Sequence, residues 1–272
     1  MLPAAKGGIA LVVVASSVTG GYFLFNPGTK EKKHVSVLSS LHNLQSTYGS
    51  GKFGNTYSIY MVDPNNEKNE WWWKEVYADF KSFSEGSSNG GKLSEEFKNT
   101  TEKIKSAYSK TKAGEGSKAL NQVCEVAFKD AKNNWGSKTN YEDNVWTYCS
   151  ILRSHPKVIP SSDTTYDNQK GSSHKDKAVS VLDKDNEANK SFWDLRNKEF
   201  FGEVTSKSVG SSGQISIFKD LFKKDKKTRT ANDNIKKACE DAYKLATSEN
   251  DQATDVDIKK FCYLIPEIAT AS

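Results

Sequence analysis

Apolar residues fall into two kinds of pattern along this chain. The first is a continuous run, Gly7 to Phe25 (GGIALVVVASSVTGGYFLF), which carries no charge and is bracketed by Lys6 and Lys30. The second is periodic. Leu120, Val123, Cys124, Ala127, Phe128 and Ala131 follow the spacing i, i+3, i+4, i+7, i+8, i+11, and so do Ile235, Ala238, Cys239, Ala242, Tyr243 and Ala246. That spacing lays one apolar stripe along a helix, with the cysteine inside the stripe. Val145, Tyr148, Cys149 and Leu152 mark a further helix, and Ile258, Phe261, Cys262 and Ile265 mark its counterpart. Thr139 or Asn140 suits the N-cap of one and Thr254 or Asp255 that of the other, while Pro156 and Pro266 follow where a helix cannot continue. Lys30 to Ser46, with Val35, Val37, Leu38, Leu41 and Leu44, reads as one more helix.

These pairs belong to a longer duplication. Tyr60 to Phe80 (YMVDPNNEKNEWWWKEVYADF) aligns without a gap to Ser180 to Phe200 (SVLDKDNEANKSFWDLRNKEF). The alignment places Asp63 on Asp183, Asn66 on Asn186, Glu67 on Glu187, Asn69 on Asn189, Trp73 on Trp193 and Phe80 on Phe200. Trp72 falls on Phe192, so both belong to a repeated helix face. Trp71 falls on Ser191 and is surplus to it, which makes Trp71 the candidate exposed aromatic contact. Each unit then reads as a short apolar segment, a Trp helix, a variable linker and two Cys helices. Gly/Ser-rich stretches such as Ser84 to Lys92 and Ser208 to Gly213 lie between matching segments and read as surface loops.

The uncharged N-terminal run is just long enough to cross a bilayer, since about 20 helical residues span a hydrocarbon core of about 30 Å. A cleaved signal segment, with Ile9 to Ala15 as its apolar region, is the alternative; the return of apolar residues at Tyr22 to Phe25 favours an uncleaved anchor. Lys30, Lys32 and Lys33 follow the run, and by the positive-inside rule they lean towards a cytoplasmic body.

Charge and chemistry narrow the function. The net charge is +5, and only Arg153, Arg196 and Arg229 are arginines. Dispersed lysine solubilises a surface, whereas nucleic-acid reading leans on the arginine fork, so no nucleic-acid partner is expected. The run Lys223 to Arg229 reads as a solvated helix end. Gly86 to Lys92 fits a phosphate-loop spacing, but Leu93 stands where Ser or Thr must hold magnesium. Asp63 beside its Asn-rich turn reads as a turn residue rather than a general base. None of His34, His42, His155 and His174 repeats between the units, and no Cys-x-x-Cys occurs, so neither a metal nor another cofactor is expected. No polar group suited to acid–base work recurs, and the chain is not expected to be an enzyme. The candidate disulfides are Cys124 with Cys149 and Cys239 with Cys262, each stapling two helices of one unit. The other reading is small buried hydrophobes in a reducing cell.

With its apolar span and its modules carrying a Trp helix, then VCEVAF or ACEDAY, then WTYC or KKFC, the chain resembles the uncharacterised, paralogous membrane-anchored proteins of haemotropic mycoplasmas. The resemblance covers most of the chain. It implies surface exposure, in host contact or antigenic diversity, and offers no catalytic residues to carry over. The sequence thus predicts a mainly α chain: an N-terminal transmembrane helix followed by two tandem, duplicated helical units. The expected boundaries are 1–29 (anchor or signal segment), 30–48 (connecting helix), 49–160 (first unit), 161–173 (linker) and 174–272 (second unit). The expected placement is single-pass in the cell membrane with an extracellular body. Its partners would be membrane lipid and a host protein or antibody; a cytoplasm-facing tethered scaffold is the alternative, and an enzyme of unknown class the remote one.

Overall fold

A computed structural model describes residues 12–16, 21–25, 31–86, 90–98, 104–111, 118–202 and 208–267. The chain is mainly helical and divides into two compact units, residues 1–155 and 156–272. The boundary lies ahead of the expected linker. Residues 161–173 belong to the second unit, where Tyr166 is buried against Tyr243, ring centroids 5.6 Å apart.

Unit 1 opens with β1 (Val12–Ser16), β2 (Gly21–Phe25) and β3 (Lys32–Ser36), an antiparallel sheet in which Tyr22 faces Val35. There follow α1 (Leu44–Tyr48), α2 (Phe53–Thr56), α3 (Glu70–Ser84), the two short parallel strands β4 (Ile104–Ser106) and β5 (Lys118–Ala119), α4 (Leu120–Phe128) and α5 (Tyr141–Cys149). The connecting helix expected over 30–48 is therefore not formed as one element. Val35 and Val37 stand two residues apart, the period of a strand, and β-branched residues suit a pleated surface. Val37 extends the strand by bridging Val62, and helix begins only at Leu44. Part of the predicted transmembrane helix lies outside the described residues, and its described part forms β1 and β2. Among the described residues no helix is long and apolar enough to cross a membrane.

Unit 2 contains α6 (Lys170–Ser173), α7 (Asn186–Phe201), α8 (Ser216–Lys223), α9 (Ile235–Tyr243) and α10 (Asp255–Phe261). Its internal bonding repeats that of unit 1. In unit 1, Val62 N–H donates to the Cys149 carbonyl and Ile151 N–H to that of Tyr60, each at 3.0 Å. In unit 2, Val179 N–H donates to Cys262 and Leu264 N–H to Lys177, each at 2.9 Å. On the other side of the same segments, Leu38 N–H donates to Met61 and Asp63 N–H to Ser36; Ile159 N–H donates to Ala178 and Ser180 N–H to Lys157. Phe53 N–H to Asp130 and Lys170 N–H to Leu245, both 2.8 Å, tie α2 and α6 to the ends of α4 and α9.

This ladder bears out the duplication in three dimensions and corrects its register. Asp63 corresponds to Ser180, not Asp183. Asp63 is buried, whereas Asp183 is exposed, its carboxylate accepting from the Asn186 side chain. From Asp63 to Asn69 is six steps and from Ser180 to Asn189 is nine, so unit 2 carries three extra residues ahead of its Trp helix. From Asn69 and Asn189 onward the ungapped match holds. Trp72, Trp73 and Phe80 of α3, and Phe192, Trp193 and Phe200 of α7, are all buried.

Candidate functional site

Two sets of residues recur in both units, and both follow from the ladder. The first is an asparagine clamp. Asn69, fully buried ahead of α3, accepts from Ser36 N–H through Oδ1 and donates through Nδ2 to the carbonyls of Ser36 and Asp63, all at 2.9 Å. Asn189 treats Lys157 in the same way, accepting from its N–H at 2.6 Å and donating to its carbonyl at 2.9 Å and to Ser180 at 2.7 Å. A primary amide offers an acceptor beside two donors, and so grips both polar groups of one extended residue. The entering chain is thereby fixed against the Trp helix. A second pair, Asn144 and Asp257, holds the return of the variable linker: Asn144 Oδ1 accepts from Ser94 N–H at 2.7 Å and Asp257 Oδ1 from Gln214 N–H at 3.0 Å.

The cysteines behave as the helical stripe requires. Cys124 on α4 lies at disulfide distance from Cys149 on α5, with a Cα–Cα separation of 5.6 Å, and Cys239 on α9 from Cys262 just after α10, at 5.8 Å. All four are fully buried.

Trp71 is half-buried rather than exposed. Its indole N–H donates to the His34 carbonyl at 3.3 Å, and Lys33 Nζ lies 5.5 Å from its ring centroid. It thus covers the open edge of β3. Unit 2 shows only isolated bridges among its described residues, which accounts for the absence of a second such tryptophan. The basic run Lys223 to Arg229 follows the end of α8, where Lys224 pairs with Asp233 at 2.6 Å and Arg229 stacks over Phe201 at 3.5 Å.

Sequence comparison missed a polar cluster centred on one helix position. Glu142 in α5 and Asp255 in α10 are separated by 113 residues, as are Cys149 and Cys262, so they occupy the same first turn. In unit 1, Lys132 Nζ lies 2.7 Å from Glu142 Oε1 and His155 Nε2 lies 3.3 Å from it. His155 Nδ1 meets Asp143 at 2.5 Å, and its ring stacks on Trp146, centroids 5.6 Å apart. Burial alone would raise the Glu142 carboxyl, but the hydrogen bonds and charges of His155 and Lys132 outweigh it and hold Glu142 down at about 2.

In unit 2, Lys170 Nζ lies 3.4 Å from Asp255 Oδ1 and donates to Asn250 Oδ1 at 2.8 Å. His174 Nε2 lies 3.3 Å from the same Asp255 oxygen, and His174 Nδ1 bonds the Tyr263 hydroxyl at 2.8 Å. The side chains of Lys170 and His174 are each only 2% exposed, against 57% for Asp255. Burial pushes His174 down, aided by the nearby charges of Lys259 and Lys170 and opposed by Asp255. Burial pushes Tyr263 up to about 12.

The acid is therefore shared between the units, while its lysine and histidine come from unmatched positions, 132 and 155 in one and 170 and 174 in the other. The helix position would have been found by extending the Cys-helix alignment back one turn; the cations could not. These polar atoms engage one another, an arrangement suited to holding segments together. Among the described residues no group of three or more His, Cys, Asp or Glu side chains is arranged to hold a metal ion. Comparison with protein-family models, with curated proteins and with solved structures returned no match to this chain.

Proposed function

We propose that this chain is a membrane-anchored surface protein whose body works by binding, in host contact or antigenic display, rather than by catalysis. One observation carries the reading: each duplicated unit holds its own buried cysteine pair at disulfide distance, joining the two helical segments that close its core. Disulfides persist in oxidising compartments, so paired cysteines in both copies favour a body outside the cytoplasm. The frame is repeated, while the Gly/Ser-rich loops between its elements differ in length and sequence, the place where binding contacts can vary at little cost to stability.

In this reading Gly7 to Phe25 supplies the anchor as a single transmembrane helix and lipid is its partner. β1 and β2 would then leave their sheet on insertion, because an open sheet edge in hydrocarbon leaves backbone groups unpaired and a helix does not. The binding partner would be a host protein or antibody. A second reading, a tethered scaffold facing the cytoplasm, is favoured by Lys30, Lys32 and Lys33 after the apolar run.

Protease treatment of intact cells separates the two. Digestion of the body, together with retention of the protein in carbonate-washed membranes, is expected for an anchored surface protein. Survival of the body on intact cells would sink that reading in favour of the scaffold, and release by carbonate would sink the anchor.

A further inference from the structure

His174 differs from every other histidine in the chain in where its ring is held. It caps α6 and its imidazole is enclosed, with Tyr263 OH on one nitrogen and Asp255 on the other. The charged and titratable groups facing it come from each surrounding segment. Lys170 approaches from α6 itself, Asp255 and Lys259 from α10, and Tyr263 and Glu267 from the chain beyond α10. Among the described residues the single carboxylate in hydrogen-bond reach, Asp255, is already engaged at the same oxygen by the buried Lys170 ammonium. Glu267 is engaged by Lys177 at 2.9 Å and by Lys259 at 3.9 Å.

We propose that unit 2 contains an acid-triggered opening device: uptake of a proton by His174 places two buried cations on the one Asp255 oxygen and releases the hydrogen bonds that tie α6 to α10 and to Tyr263. Two cations sharing one carboxylate repel, and an enclosed imidazolium has little water to turn to. Asp255, more than half exposed, is where water and the proton reach the ring. The bonds at stake lie beside the central ladder, because His174 O accepts from Ala178 N–H and Ala178 bridges Tyr263. The direction of the His174 shift agrees, since burial outweighs Asp255 and favours the neutral ring.

Unit 1 lacks the device for two reasons. The ladder places Tyr57 where unit 2 has His174, and a phenol does not titrate in mild acid. Its own histidine, His155, meets Asp143 as well as the Glu142 that Lys132 also holds, so histidine and lysine there share two carboxylates rather than one. The device is a property of the fold and does not depend on which side of a membrane the body faces.

Backbone hydrogen exchange of the full, oxidised chain between pH 7.5 and 5.0, corrected for the intrinsic pH dependence of exchange, tests the proposal. Peptides covering residues 170–179 and 255–264 are expected to exchange several-fold faster at the acid end, through the linked uptake of one proton. Peptides from α4 and α5 should not change. His174→Gln should remove the acid response. Should that variant fail to fold, Lys170→Met serves instead: without the competing ammonium, His174 shares Asp255 with no other cation, takes up its proton at higher pH, and the acid response should weaken. Equal acceleration in both units, or an acid response unchanged in whichever variant folds, would overturn the proposal.

Discussion

Replacing Asn69 by alanine removes three hydrogen bonds of 2.9 Å from a fully buried position. Two of the three partners lose the only hydrogen bond described above for them: Ser36 N–H and the Asp63 carbonyl. The Ser36 carbonyl keeps the Asp63 N–H at 3.0 Å. A buried backbone group left unpaired costs about 1–3 kcal/mol, and the third bond adds about 0.5–1.5 kcal/mol. Allowing for partial relaxation, the loss is expected at about 3–5 kcal/mol, a large fraction of the stability of a unit this size. Asn189→Ala should cost unit 2 a similar amount, because Lys157 and Ser180 lose the same three contacts.

Urea unfolding of the full chain reads both. Five of the six tryptophans (Trp71, Trp72, Trp73, Trp135 and Trp146) lie in unit 1, so fluorescence follows that unit, while hydrogen exchange over residues 157–180 follows the other. The sharper control is Asn69→Asp, nearly isosteric, which turns the two-donor end of the clamp into an acceptor facing two carbonyls. It should be at least as damaging as alanine. If Asn69→Ala costs less than about 1 kcal/mol, or if Asn69→Asp is tolerated, the clamp is not what fixes the entering chain and the reasoning fails.

Trp71→Ala, at a half-buried position with one hydrogen bond to His34, should cost about 1–2 kcal/mol, against about 3–5 kcal/mol for the fully buried Trp73→Ala, both read from urea midpoints. Changing Cys239 and Cys262 together to alanine should lower the stability of unit 2 by about 3 kcal/mol through the closed loop alone, leaving unit 1 unaltered in hydrogen exchange. Glu142 is held down at about 2 in the folded chain against an ordinary 4.5, so its contribution is present above pH 4.5 and is lost as pH falls from there towards 2. Glu142→Gln should therefore destabilise unit 1 at pH 7 by up to about 3 kcal/mol and flatten its fluorescence-detected stability between pH 4.5 and 2, the gap disappearing at the acid end.

The parts of the fold legible in the sequence are those where one residue type satisfies two constraints at once. The Cys helices stood out because each cysteine lies on an apolar stripe of helical period, and the structure buries all four where the stripe puts them. The Trp helices were legible through Trp73 and Trp193. What escaped was carried by polar residues. The segments Asp63 to Asn69 and Ser180 to Asn189 are both rich in Asp and Asn, so a three-residue insertion left a plausible ungapped match, and only the backbone ladder shows the true register. Asn69 and Asn189 appeared as a matched pair, but nothing in their flanking residues announces that each grips a chain about 32 positions away. The β3 segment reads as helix in the sequence because Val35, Leu38 and Leu41 also fit a helical period. In a short apolar stretch the strand partner decides, and that partner is β2. The lysines and histidines around Glu142 and Asp255 come from positions with no counterpart in the other unit, so no comparison of the two copies could have assembled them.

The central claim, a duplicated unit stapled separately in each copy and built for an oxidising environment, meets its most direct test in peptide mapping of protein isolated from its native cells, alkylated at once and digested without reduction. The account predicts two linked peptide pairs, Cys124 with Cys149 and Cys239 with Cys262, and no alkylated cysteine. Alkylation of all four cysteines, or linkage between one unit and the other, would contradict it.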